Sequence, residues 1–503
     1  MVRRHIRLVE ARRAETAALA RRFELARVEL GLPEQFPAEV LAAAGASRTP
    51  QMPDLDLTAV PFMTVDPPGS TDLDQAMHLS RMNGGYHVDY AIADVGAFVP
   101  PGGPVDIEAM RRGQTLYAPD RRLPLHPPVL SEDAASLLPG RPRPAFVWRF
   151  ELDADGHVVD LDLVRAVVRS RHRLDYPTVQ AAADSRPHRA RRHGEPTRAT
   201  GLAPDPTDDI TWQAVLLREI GGRRLDLERG RGGASLPVPE QEISSGNGHY
   251  RLQFRGTLPA EEWNAQISLM TGMAAARLMM EAGVGILRTM PPPDRRAVAR
   301  FRRQARALSI AWPDGERYGD FIRGLDRRRP AELALLHEAT VLFRGAGYSV
   351  FDGNRPEQVE HAAVGAPYAH VTAPLRRLVD RFGLVTCHAA LHGRPAPDWV
   401  LERLNAVAER MVDSDYVAHA LERRCVDLVE AAMLASRVGD EFDAVTIDAG
   451  PERSEVQLLD PAVVAPCAAT LPLGVPVRVR LDAVDTVAAT VRFSPVAGTP
   501  ARA

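Results

Sequence analysis

The sequence predicts an α+β fold: a mixed sheet wrapped by helices, followed by a small OB-type β-barrel. Three observations predict it. Between residues 60 and 155, runs such as PFMTV, YHVDYAIADV and FVWRFELD are rich in β-branched and aromatic residues, as strands are. From 211 to about 437, long segments with helical apolar spacing dominate. After Gly439, five short runs (EFDAVTIDA, SEVQLLD, AVVAPCAATL, VPVRVRLDAVD and AATVRFS) have the number and length of strands in a small closed barrel.

At 503 residues the chain is too long for one ordinary core, and three segments are expected. They are an N-terminal helical segment and connector (1–58), a main domain (59–437) and the barrel (438–503). Residues 3–31 read as a helix, with Leu8, Val9, Leu19, Phe23, Ala26 and Leu30 recurring amid Arg and Glu until Gly31 and Pro33 stop it. A short helix follows to about Ala44, and 46–58 form a polar connector. The segment 185–209 breaks the pattern. Its RPHRARRHGEPTR run is basic and aperiodic, a mobile loop that is either simply solvated or RNA-facing. WNAQISLMTGMAAARLMMEAG is apolar nearly all round and closes at Gly283, so it is expected to be a buried helix whose methionines fill a core.

Composition narrows the class. Apolar residues make up 45% of the chain and the net charge is −3, so this is no globally basic polymer binder. All 62 basic residues are arginine, so any phosphate contact must come from arginine, histidine or backbone. Cys387, Cys425 and Cys467 are scattered, which argues against a disulfide framework or thiolate zinc site and fits a reducing cytoplasm. The N-terminal stretch has no signal-peptide pattern, and no apolar run is long enough to span a membrane.

Two clusters carry chemistry. The stretch TVDPPGSTDLDQA places Asp66 at the end of a strand, turns at Pro67-Pro68-Gly69-Ser70, and sets Asp72 and Asp74 before the next strand. Residues i and i+2 in extended chain face one side, and the turn can fold Asp66 back beside them. Carboxylates so placed either cap loop turns or share a hard cation. Magnesium (Mg2+) is the best candidate, because it takes oxygen ligands and keeps waters. The second cluster, TAPLRRLVDR at 372–381, suggests a helix starting at Pro374, with Arg376 and Arg377 in its first turn. The helix dipole disfavours cations there, so the pair is either an ordinary surface feature or one half of a phosphate site, with Asp380 steadying Arg376.

These clusters, taken with AIADV (91–95), RRGQTLYAPDRRLPLHPPVLSEDAASLLPG (111–140), SRHRLDY (170–176), YAHVTAPLRRLVD (368–380), His388 and ERRCVDLVEA (422–431), resemble the ribonuclease II (RNB) family of exoribonucleases in one colinear order. The resemblance spans roughly 60–435. It implies a metal-dependent hydrolytic 3′-to-5′ exoribonuclease that degrades single-stranded RNA to nucleoside 5′-monophosphates. By residue, it implies that Asp66, Asp72, Asp74 and Gln75 surround Mg2+, with manganese (Mn2+) as the alternative, and that Asp72, Asp74 and Arg376 carry catalysis. It further implies that Tyr117 stacks on terminal bases, that Glu422 lines the RNA path beside Arg376, that Gln266 contacts RNA, and that Tyr176, a motif tyrosine, either contacts RNA or simply packs.

The sequence also departs from the family. Gln75 stands where a fourth aspartate is usual, Gln266 where a glutamate aligns, Ala373 where serine is usual, and Leu378 where tyrosine is. Residues 1–58 are too few for the two cold-shock-type barrels with which the family often begins. The barrel segment holds only Phe442 and Phe493 as aromatics, both expected in its core, so weak RNA clamping and low processivity are expected. The competing reading is a weak or inactive RNB-fold RNA binder.

Overall fold

The computed structural model describes residues 14–185, 209–234, 236, 240–246 and 249–496. The arginine-rich loop expected at 185–209 lies, but for its ends, outside the described residues, as do residues 3–13 of the first expected helix.

Helix α1 (Ala14–Glu29) buries Leu19, Phe23 and Ala26, and the chain turns at Gly31 (φ 65°) toward α2 (Ala38–Ala46). Arg27 on α1 is fully buried, because Glu34 (2.6 Å) and Asp120 (2.7 Å) pair its guanidinium.

The main sheet has seven strands. These are β1 (Leu55–Asp56), β2 (Phe62–Asp66), β3 (Gln75–Met82) and β4 (Gly85–Ala93), then, after α3 (Pro104–Arg112) and the short pair β5 (Leu116–Tyr117) and β6 (Arg122–Leu123), β7 (Arg143–Asp153), β8 (Val158–Val168) and β9 (Ser170–Asp175). Their order is β1-β8-β7-β4-β3-β2-β9, parallel at β1–β8 and β2–β9 and antiparallel elsewhere. β1 falls in the stretch expected to be a connector; its two residues extend the sheet edge.

Both faces of this sheet are covered. One carries large side chains, among them Met77, Tyr90, Trp148 and Phe150, against helices. The other carries small ones, Ala76, Ala91, Ala93 and Ala145, which let α2 and the Leu73 and Leu375 segments approach closely. A sheet buried on both sides has near-continuous apolar strands, and β4 accordingly is buried along almost its whole length.

The covering layer begins with α4 (Tyr176–Asp184) and α5 (Ile210–Arg231), followed by the hairpin β10 (Glu240–Gly246) and β11 (His249–Arg255) and by α6 (Pro259–Ala282). As expected, α6 is a core helix closed by Gly283 at φ 74°. Strands β12 (Val284–Thr289) and β13 (Gly347–Asp352) pair antiparallel and bracket α7 (Arg295–Ala307), α8 (Tyr318–Arg323) and α9 (Pro330–Glu338), which share their own apolar cluster. The small hairpin β14 (Glu360–His361) and β15 (Ala366–Pro367) leads to α10 (Leu378–Leu391), α11 (Asp398–Leu401) and α12 (Leu404–Leu434). With 31 residues, α12 is about 46 Å long. It packs on α1, β5, β13 and the barrel, and so ties the layers together.

The barrel is β16 (Glu441–Ala449), β17 (Ser454–Leu458), β18 (Val464–Cys467), β19 (Pro476–Asp485) and β20 (Thr490–Pro495), closed in the order β16-β17-β18-β20-β19. Phe442 and Phe493 meet edge to face in its core at 5.8 Å. All three cysteines are free and buried. Among the described residues no helix is long and apolar enough to cross a membrane.

Candidate active site

The site sits where β2 leaves the sheet and β3 enters it. The connecting loop turns at Gly69 (φ 84°) and is held from outside. Ser136 accepts from Leu73 N (2.9 Å) and donates to Thr71 O (2.7 Å), while Leu137 N donates to Leu73 O (3.0 Å). The loop therefore returns Asp72 into electrostatic range of Asp66.

A second loop, 372–377, closes over the first. Leu375 N donates to Asp74 Oδ1 (2.7 Å), and Arg376 Nε reaches Asp74 Oδ2 (3.3 Å). Arg376 O accepts from Thr115 N (2.9 Å), which draws the segment carrying Tyr117 to the same point. The helix expected at Pro374 starts later: α10 begins at Leu378, and 374–377 form a turn bonded to Ala373 O. The reason is Asp380. Its buried carboxylate accepts from Ala373 N (2.6 Å) and takes a two-pronged pair from Arg377 (2.9 and 2.8 Å). Asp380 thus steadies Arg377, not Arg376 as expected, and is itself the anion at this turn. That leaves Arg376 with Nε tethered and its side chain 46% exposed.

The carboxylates are strained by burial. Burial pushes Asp66 up to about 7, with Asp72 adding to the rise and Arg376 opposing it. Burial also holds Asp74 well above the usual carboxylate range, again opposed by Arg376 and reinforced by Asp72.

Asp72 has a partner that the sequence reading missed. Arg122 Nη1 donates to Asp72 Oδ1 (2.7 Å), and Arg122 Nη2 donates to Thr71 Oγ1 (2.8 Å) and lies 3.2 Å from Glu132. Among the described residues no three His, Cys, Asp or Glu side chains are grouped to hold a metal ion, so the expected ligand set is not assembled as one cluster. The arginine pairs explain this: Arg122 holds Asp72 and Arg376 holds Asp74. The donors still suit a hard divalent cation. Three carboxylates repel one another, and Asp66 Oδ2 is buried with no hydrogen-bond partner. Asp66 offers that oxygen outright, whereas Asp72 and Asp74 would share theirs with the arginines.

Gln75 departs from its expected place among the metal ligands. Its Oε1 accepts from Tyr90 OH (2.7 Å), which also bonds Ser268 (2.7 Å), and its Nε2 donates to Thr372 O (2.6 Å). The carboxamide ties β3 to the 372–377 loop. A carboxylate has no N–H for that carbonyl.

The remaining expected residues divide. Tyr117 points its hydroxyl toward Asp72 (3.5 Å). Tyr176 opens α4, and burial raises its hydroxyl to about 12, with Asp66 adding to the rise and a bond with Asn264 opposing it. Glu422 lies half-buried on α12, near Cys425. Gln266 is buried and turns to α5, donating to Glu228 (2.5 Å). Asn264 and Ser268, one helical turn apart on α6, face the site instead. Their i, i+4 spacing is the one sequence signal that could have found them.

Comparison with known proteins identifies the family. The RNB domain model matches residues 55–393, and the model of the RNase II-type exonuclease C-terminal S1 domain matches 440–496. The chain belongs to the RNB family. It is 26% identical over 404 residues to exosome complex exonuclease RRP44 homolog A of Arabidopsis thaliana, covering 77% of this chain and 41% of that protein. Its fold matches Mycoplasma genitalium RNase R in complex with ribose-methylated single-stranded RNA (TM-score 0.82, 17% identity, 95% of this chain and 78% of that one). It also matches yeast Ssd1, described as a pseudonuclease (TM-score 0.66, 16% identity, 90% and 53%). This fold is thus shared with both a ribonuclease and a protein described as a pseudonuclease.

Three outcomes are expected at this RNB centre. Without divalent cations, native Asp66 keeps a proton that the unfolded chain releases between about pH 4 and 7. The contribution of Asp66 to stability therefore falls as pH rises through that window and levels off above it. Melting temperature against pH, for wild type and Asp66→Asn in chelator, checks this; the variant should show a shallower fall, the remainder coming from Asp74, which burial also holds above its ordinary range. Gln75→Asp removes the donor to Thr372 O and sets a carboxylate against a carbonyl, so metal-free stability drops by about 1–3 kcal/mol in urea unfolding. Arg122→Gln frees Asp72 and tightens Mn2+ binding on the order of tenfold, read by titration of the Mn2+ paramagnetic signal.

Proposed function

We propose that this chain is a metal-dependent hydrolytic exoribonuclease that degrades single-stranded RNA from the 3′ end to nucleoside 5′-monophosphates. The observation that carries the reading is the divided role of Arg376: Nε anchored by buried Asp74, the rest of the side chain open beside three carboxylates. Phosphodiester hydrolysis needs a cation for the phosphate oxygens and an activated water. Arg376 would hold the scissile phosphate through its open guanidinium edge. Asp66, Asp72 and Asp74 would hold Mg2+ or Mn2+, which when bound supplies the activated water and further charge neutralisation. Tyr117, in the segment bonded to the Arg376 backbone, would stack on a terminal base, a contact that tolerates any sequence. Tyr176 would pack the other side of Asp66, and Glu422 would line the outer path. Gln266 we assign to helix packing. The three free, buried cysteines suit a reducing compartment, and we place the protein in the cytoplasm.

A second reading, a weak or silent RNA binder, is favoured by the Gln75 tie and by the Arg122 pair on Asp72. Labelled single-stranded RNA incubated with wild type and Asp74→Asn, under Mg2+ and then Mn2+, separates the two. The expected outcome is stepwise release of mononucleotides by wild type and at least a ~100-fold loss in the variant. Intact RNA with wild type under both metals sinks the nuclease reading.

A further inference from the structure

Helix α7 presents a surface that the site does not use. Its sequence, RRAVARFRRQARA, holds six arginines and no acidic residue. At 100° per residue these arginines occupy an arc of about 160°, and Phe301 and Ala305 are buried on the opposite side. Arg300 lies 3.7 Å from Glu338. Arg302 lies 3.5 Å from Asp314 and stacks over Trp312 at 4.1 Å. Arg295, Arg296, Arg303 and Arg306 are exposed and make no ion pair among the described residues.

This charge is segregated, not averaged. Residues 291–346 carry twelve arginines against seven acids, whereas the barrel, 440–496, carries four against nine. The end of α7 abuts that barrel, where a Cβ at Gly474 would meet Leu308, yet none of the four free arginines pairs with a barrel acid. Ordinary surface helices alternate signs at i, i+4 to offset such repulsion. Here four like charges stand together with no ion pair among the described residues.

We propose that the arginine face of α7 docks the phosphate backbone of RNA outside the catalytic centre, in place of the acidic barrel. The docking is electrostatic and sequence-independent: arginines displace the counterions condensed on the strand. This rests on RNA being the ligand, as read above, but not on cleavage.

The test uses the full chain with Arg295, Arg296, Arg303 and Arg306 replaced together by Gln, a comparable helix former. In the Asp74→Asn background, a single-stranded RNA of about 30 nucleotides should bind the Gln variant at least tenfold more weakly at ~0.1 M salt, with a log–log salt slope shallower by about 3. The matching Arg→Lys variant should recover both, because backbone docking needs charge and not the guanidinium fork. With Asp74 intact, cleavage of a short oligonucleotide by the Gln variant should equal wild type. Unchanged affinity and slope in the Gln variant, or failure of Lys to restore them, overturns the proposal. If wild type cleaves no RNA, the nuclease reading falls while the binding comparison still decides the surface.

Discussion

The site depends on one buried carboxylate. Asp74 receives Leu375 N on one oxygen and Arg376 Nε on the other, joining two loops separated by some 300 residues of chain. Burying a charge is costly unless it is paired and hydrogen-bonded. Asp74 meets that condition only when the 372–377 loop is closed. The same closure brings Thr115 to Arg376 O and so places Tyr117. The Asp74 contact thus joins the carboxylate loop to the arginine loop, and the Thr115 bond adds the tyrosine segment.

Around Asp74 the centre is balanced by fixed cations. Arg376 and Arg122 each face a carboxylate, yet burial still raises both Asp74 and Asp66 above their ordinary range. The neutral Gln75 fits this arrangement as a hinge pin between strand and loop, and it lowers the negative charge the centre must manage. The question of Gln75 thus shifts from a missing ligand to a structural link.

Much of this was legible in the sequence. The strand texture around β2, β4 and β7, the Gly283 stop of α6 and the five-stranded barrel follow from local pattern and turn chemistry, which a single chain displays. The Asp66, Asp72 and Asp74 pattern stood out because its members lie within nine positions, but among the described residues they are not gathered into one ligand cluster. What escaped were partners distant in sequence. Arg122 reads as one more basic residue until the β5–β6 turn sets it on Asp72, and Ser136 reads as a loop serine until it grips Leu73. The start of α10 was misplaced because Pro374 is a good first helical residue locally, while the Asp380 carboxylate holds Ala373 N in a turn. Gln266 and Asn264 differ by two positions, hence by about 200° on α6, enough to exchange site for core.

The tether on Arg376 bears on a chain that contains no lysine. A guanidinium has separate edges: one can be fastened to the protein while the others stay open to a visitor. An ammonium is a single point of charge and would have to choose between Asp74 and the incoming group. At position 376, then, arginine suits the proposed double task by its shape: one edge holds Asp74 while the rest stays open.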